Sequence, residues 1–288
     1  MIKIKSRKYY RIRSNQMSRY IIITIIALVG YCNADAQVGG TIKAEGTAEV
    51  LPYVNIGIRG KGVGTVSDRN GEFEIDLSEK YYSDSLSISM IGYHSQIYLV
   101  KNFIDLIHKN STIHLEENIQ VLDEVIISSR RLKKRILGNK AKIRLYSDGF
   151  ESDQLGSEAG IIIKIKKSPT YVKKFTAYIA KNEHPELKFR LNFYDIKDGL
   201  PNKRILKENI IVTSKIKKGK LEVDLEKYNI VVEDDFFVSL EWIEYFGIGE
   251  LKFAIGFFGS PVIYRYASYD TWEREPPLSP GFNVTVKY

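Results

Sequence analysis

In Glu72-Phe73-Glu74-Ile75-Asp76-Leu77, acidic and apolar residues alternate without a break. Only an extended strand, with its period of two, sends Phe73, Ile75 and Leu77 to one buried face and the three acids to water. Similar β-branched and aromatic runs, separated by turn residues, fill the chain from residue 38 onward. Seven lie early, at 40–44, 54–59, 62–67, 71–77, 85–91, 95–100 and 111–116. Eight more follow, at 161–165, 172–180, 186–194, 209–215, 220–225, 236–244, 251–257 and 282–287. Within them, alternation places Phe189, Leu191 and Phe193 on one face, and Phe236, Val238, Leu240 and Trp242 on another. Helical periodicity is nearly absent, so the expected fold class is all-β: a seven-strand N-terminal sandwich and a C-terminal β-sandwich of jelly-roll type.

Composition narrows the function classes. At 44% hydrophobic residues the 288-residue chain is not a disordered one, and a single Cys rules out a disulfide scaffold. The formal charge of +8 suggests nucleic acid until it is located. Residues 1–36 hold Lys3, Lys5, Arg7, Lys8, Arg11, Arg13 and Arg19 against Asp35, which leaves only +2 for the remainder. No nucleic-acid partner is therefore expected. The same segment has a basic start, the apolar stretch Ile21 to Tyr31, and small residues ending Ala34-Asp35-Ala36, the tripartite form of a secretory signal. Its apolar stretch is short of the roughly 20 residues that span a bilayer, so cleavage is expected, with no membrane span afterwards. Met17 is an alternative start, and Tyr31 before Cys32 disfavours a lipidated Cys. The expected organisation is a signal at 1–36, a sandwich at 37–118, a basic linker at 119–150 and a second sandwich at 151–288.

Asp68-Arg69-Asn70-Gly71 reads as a tight turn, most simply a hairpin. The rival reading is a calcium loop with Asp68, Asn70, Glu72, Asp76 and Glu79 as ligands, but Phe73 stands where such a loop needs Gly. The blocks Val38-Gly39-Gly40-Thr41-Ile42, Leu51-Pro52-Tyr53-Val54-Asn55-Ile56, Gly64 to Asp68, Asn70 to Phe73 and Ser85 to Tyr93 follow one another in order. This series resembles the carboxypeptidase-regulatory-like domain common in exported Bacteroidetes proteins, and the resemblance implies a transthyretin-like seven-strand sandwich. It says little about activity. Val121 to Ile127 is similar to the segment that joins this module to TonB-dependent receptors, although about 160 further residues are too few for such a barrel. Residues 189–195, 199–201, 223–225 and 236–242 look like the C-terminal β-sandwich found behind such modules in Bacteroidetes proteins.

Candidate chemistry is sparse. His114 and Glu117 have H-x-x-E spacing, with His184 a conceivable third zinc ligand. No nucleophile elbow occurs, and Asp234, Asp235, Glu241 and Glu244 read as solvated acids, the last two on opposite strand faces. Ser128 to Arg135 is either a solvated linker or a docking site for an acidic partner. The strongest candidates for a binding surface are Tyr264, Tyr266, Tyr269 and Trp272, set among charges before Pro276-Pro277. No cofactor or metal is expected. The sequence thus points to an exported, non-enzymatic binding or accessory protein of the periplasm, outer membrane or cell surface, with a glycan or envelope-protein partner. An accessory role in a TonB-dependent transport system and a zinc-dependent hydrolase are the alternatives.

Overall fold

The computed structural model describes residues 37–47, 49–118, 132–141, 147–151 and 154–288. The expected signal at 1–36, the junction segment Val121 to Ile127 and the first half of the basic cluster lie outside the described residues. No described helix is long and apolar enough to cross a membrane.

The first sandwich contains β1 (Gln37–Ala44), β2 (Asn55–Ile58), β3 (Val63–Val66), β4 (Glu72–Asp76), β5 (Ser85–Ser89), β6 (Gln96–Leu99) and β7 (Thr112–Leu115). They form one sheet in the order β4-β1-β7 and a second in the order β3-β2-β5-β6. All seven expected runs are strands. Phe73 and Ile75 are buried while Glu72, Glu74 and Asp76 are exposed, as the alternation requires. Between β6 and β7 lies a helix that the strand reading passed over, α1 (Val100–Lys109). Its buried Val100, Phe103, Ile104 and Ile107 stand at helical spacing, and Phe103 packs 6.2 Å from Phe73. Beyond the helix, β7 pairs in parallel with β1, which a tight hairpin cannot do.

The turn at Asp68 is tight but is not a hairpin. β3 pairs with β2 and β4 pairs with β1, so the chain crosses here from one sheet to the other. Asp68 Oδ1 accepts the N–H groups of Asn70 (2.8 Å) and Glu72 (2.9 Å), and Gly71 takes φ +74°. The carboxylate thus holds a local Asx-type turn, where Gly supplies the positive φ at no steric cost.

The second sandwich contains β8 (Lys134–Gly138), β9 (Ser147–Glu151), β10 (Glu158–Ile163), β11 (Thr170–Asn182), β12 (Leu187–Lys197), β13 (Leu200–Arg204), β14 (Ile210–Ser214) and β15 (Gly219–Asp224). It continues with β16 (Val231–Val232), β17 (Phe236–Trp242), β18 (Glu250–Gly256), β19 (Val262–Arg265), β20 (Glu273–Glu275), β21 (Ser279–Pro280) and β22 (Phe282–Lys287). One sheet runs β13-β12-β17-β10-β19-β20 and the other β21-β18-β11-β22-β8. β8 pairs with β22 and β9 with β18, so parts of the stretch 119–150 belong to this sandwich. The two inner faces meet in one core. Phe189, Leu191, Phe193, Phe236, Val238, Leu240 and Trp242 come from the first sheet, and Phe175, Phe253, Phe282, Val284 and Val286 from the second.

Alternation along β12 and β17 therefore turns Arg190, Asn192, Ser239 and Glu241 to the opposite face. That face is not wet: all four are fully buried. The first sandwich covers it, and residues 37–288 form one unit.

Trp242 is 1% exposed and packs 5.3 Å from Phe189 and 5.8 Å from Phe150. Trp242→Ala should cost about 3–5 kcal/mol in urea unfolding. In a Trp272→Phe background, where Trp242 is the remaining Trp, iodide should barely quench the folded protein; strong quenching would contradict this strand register.

Candidate functional site

Strand register builds a row of charges across the covered face. Arg190 on β12 stands opposite Glu241 on β17, Glu241 opposite Glu158 on β10, and Glu158 opposite Arg265 on β19. Two carboxylates side by side repel, and on a sheet face that juxtaposition is destabilising. Asn192 relieves it, since its Nδ2 donates to Glu158 Oε1 and to Glu241 Oε2, both at 2.8 Å. Arg190 Nε lies 3.1 Å from Glu241 Oε2, and Arg204, from β13, reaches the same oxygen at 3.2 Å. Arg265 Nη2 donates to Glu158 Oε2 at 2.6 Å, and the Tyr194 hydroxyl donates to that oxygen at 3.1 Å.

The first sandwich completes the network. Asn55 at the start of β2 donates to Glu241 Oε1 and, at 2.9 Å, to Ser268 Oγ, while its Oδ1 accepts from Arg204 at 3.1 Å. Arg190 Nη2 donates to the Tyr53 carbonyl at 2.7 Å. The Tyr53 hydroxyl donates to Glu244 at 2.8 Å, and Lys188 donates to both Tyr53 and Glu244. Beside these polar contacts the backbones touch. A Cβ on Gly57 or Gly64, which are cross-strand partners, would stand 2.5 or 2.3 Å from the Ser268 carbonyl. Glycine at both positions is what lets the loop after β19 lie on the β2–β3 hairpin. Tyr53 (φ +62°) and Tyr269 (φ +65°), one on each side of this contact, hold left-handed backbone that costs a non-glycine residue energy.

Burial alone would raise the Glu241 carboxyl, but the guanidinium groups of Arg190, Arg204 and Arg265 outweigh it and hold the pKa at about 2. Burial raises the Tyr194 phenol well above its ordinary value, so it is a neutral donor at all working pH values. Burial would also raise the Glu244 carboxyl, but the bonds from Lys188 and Tyr53 leave it below the ordinary range.

These observations correct the reading of the acids. Glu241 is not solvated but fully buried, because the face opposite Trp242 is an interface and not a surface. Nor does Glu244 face away from it. β17 ends at Trp242, so strand parity no longer applies at 244, and both acids bond the first sandwich. Asp234 and Asp235 are exposed, and Asp235 Oδ1 accepts the Ile165 N–H. The proposed zinc ligands do not converge. His184 is buried against Trp242, 5.0 Å between rings, with its pKa lowered by that burial, whereas His114 and Glu117 are exposed on the first sandwich. Among the described residues no cluster of three or more His, Cys, Asp or Glu is placed to hold a metal.

The aromatic candidates divide into three settings. Trp272 packs edge-on against Phe237 (5.2 Å) and Tyr194 (5.8 Å), with the Arg265 guanidinium 4.5 Å from its ring. Tyr269 belongs to the contact between sandwiches, donating its hydroxyl to Ser89 and carrying Arg59 over its ring at 5.1 Å. Tyr264 and Tyr266 meet edge to face at 5.2 Å, and Tyr266 is 52% exposed. The neighbouring Tyr266 hydroxyl, burial and Glu273, whose Oε2 accepts the Tyr264 hydroxyl at 3.0 Å, raise the Tyr264 phenol pKa. Both line a cleft of about 480 Å³ in the second sandwich, together with Gln154, Arg265 and Glu275. A smaller cleft, about 370 Å³, opens between the sandwiches.

Residues 38–127 match the family model described as the CarboxypepD_reg-like domain. The first sandwich is thus a carboxypeptidase-regulatory-like domain, a β-sandwich module of non-catalytic type. No curated protein matches the chain.

Glu241 makes stability pH-dependent. Its folded pKa of about 2 lies below the ordinary carboxylate value of about 4.3, so the stabilisation is complete above that value and is lost as pH falls toward 2. The loss should amount to about 3 kcal/mol, read as a falling urea midpoint between pH 5 and 2. Glu241→Gln leaves buried Arg190 without its carboxylate and should cost about 3–5 kcal/mol at pH 7 while flattening that acid profile. An unchanged midpoint at pH 7 would contradict the network.

Proposed function

We propose that a chain whose first sandwich is a carboxypeptidase-regulatory-like domain serves here as an exported, non-catalytic binding protein of the cell envelope. In this reading the first module braces the second, and the second presents the ligand site. Export rests on the basic, apolar and small-residue order of residues 1–36.

The observation that carries the reading is the cleft lined by Tyr264 and Tyr266. Its volume suits a small ligand, and its lining combines aromatic rings with a few polar groups, the usual chemistry of a binding cleft. The exposed Tyr266 ring offers a stacking face for a sugar, whose C–H groups are apolar. Gln154 and Glu275 can accept the hydroxyls that point the other way. We therefore take the ligand to be a glycan. Tyr266, and not Trp272, is the residue to test, because Trp272 packs against Phe237 and Tyr194 and its removal would disturb the fold.

Residues 37–288 applied to a glycan array should bind a restricted set of glycans, and Tyr266→Ala should weaken that binding at least tenfold without lowering the unfolding temperature. Failure to bind any glycan would reject the glycan reading and direct the search to an envelope protein. Binding unchanged in Tyr266→Ala would reject this cleft.

A further inference from the structure

The cleft between the sandwiches has a different character from the tyrosine-lined one. Arg59 lines it from the first module, and Lys203, Arg204 and Arg265 from the second. Among the described residues no carboxylate lines it. The charges beneath it are unequal too, since Arg190, Arg204 and Arg265 face only Glu158 and Glu241 in the buried row. Excess buried positive charge is costly unless something compensates it. Arg59 and Lys203 make no ion pair among the described residues, and Arg59 is held over the Tyr269 ring instead. Nearby acids are already engaged with backbone. Asp195 Oδ1 accepts the Lys203 N–H, and Asp270 Oδ1 accepts those of Gly62 and Thr271.

A second observation points the same way. The Arg265 side chain is 10% exposed, and its Nε is buried with no hydrogen-bond partner among the described residues. A buried guanidinium nitrogen without a partner is uncommon, and Arg265 is a wall residue of this cleft. Ser89, Ser95 and Asn202 add hydroxyl and amide groups to the lining, beside the rings of Tyr194 and Tyr269.

We propose that this cleft binds an acidic sugar, its carboxylate or phosphate held by Arg59, Lys203 and the arginines of the buried row, and its hydroxyls by Ser89, Ser95 and Asn202. Arginine suits this task because its planar fork matches both oxyanions in a bidentate way. A site built from residues of both modules would also make ligand binding depend on their being locked together. The inference does not rest on the tyrosine-lined cleft, and it survives if that cleft binds nothing.

The test is calorimetric titration of residues 37–288 with glucuronate, glucose 6-phosphate, glucose and inorganic phosphate, repeated for an Arg59→Ala, Lys203→Ala double variant and for Tyr266→Ala. Arg59 and Lys203 are exposed, so the double variant should keep its unfolding temperature. At least one acidic sugar should bind, and which of the two does so separates a carboxylate from a phosphate site. Glucose should not bind, and phosphate should bind at least tenfold more weakly than the acidic sugar. The double variant should lose at least tenfold in affinity, Tyr266→Ala should lose none, and added salt should weaken binding. No binding by either acidic sugar, equal affinity in the double variant, or phosphate binding as tightly as the sugar would each overturn the proposal.

Discussion

A carboxylate sealed between two sandwiches, with the guanidinium groups of Arg190 and Arg204 upon it, is the interaction on which this molecule turns. Glu241 cannot be charged and dry unless Arg190 and Arg204 are in place, and Arg190 cannot be buried unless Glu241 and the Tyr53 carbonyl meet it. The first sandwich supplies what the second lacks, an Asn55 amide and a backbone carbonyl, at the points where polar atoms would otherwise be unsatisfied. An isolated ion pair of this kind is weak evidence of stability, because desolvation consumes much of its gain. Its stronger effect is on geometry: hydrogen-bonded charges tolerate one docking register and no other.

The backbone contact enforces the same register by other means. Gly57 and Gly64 leave a bare strip on β2 and β3, and the Ser268 segment fills it so closely that no side chain fits between. Tyr269 and Asp270 then reach back, through a carbonyl to Gly60 and a carboxylate to Gly62. Polar and steric complementarity thus fall on adjacent patches of one face. Both clefts draw a wall from strands that this docking fixes, and Arg265 lines both.

Much of the fold was legible because half-buried strands write their faces into a period of two. Phe73, Ile75 and Leu77, or Phe189, Leu191 and Phe193, needed nothing but alternation. Helix α1 was hidden by its shortness, since Val100, Phe103, Ile104 and Ile107 lie between two strand-like runs. The site was hidden for a different reason. Alternation says which residues leave the core but not what covers them, so Arg190, Asn192 and Glu241 read as a wet face until a second module is laid on it. A signal was present, in opposite charges and an Asn at matching parity on β12 and β17, but using it requires the register, which no single strand contains. Trp272 shows the converse: its setting among loop-forming residues said nothing of Phe237 and Tyr194, which pack against its partly buried ring.

If the charge row couples the modules as described, the direct evidence is a double-mutant cycle across the interface. Unfolding free energies of Asn55→Ala, Glu241→Gln and the double variant should give a coupling of about 1–3 kcal/mol, because the two side chains belong to one hydrogen-bonded network. Effects that simply add, within about 0.5 kcal/mol, would mean that the two sandwiches do not depend on this carboxylate for their union.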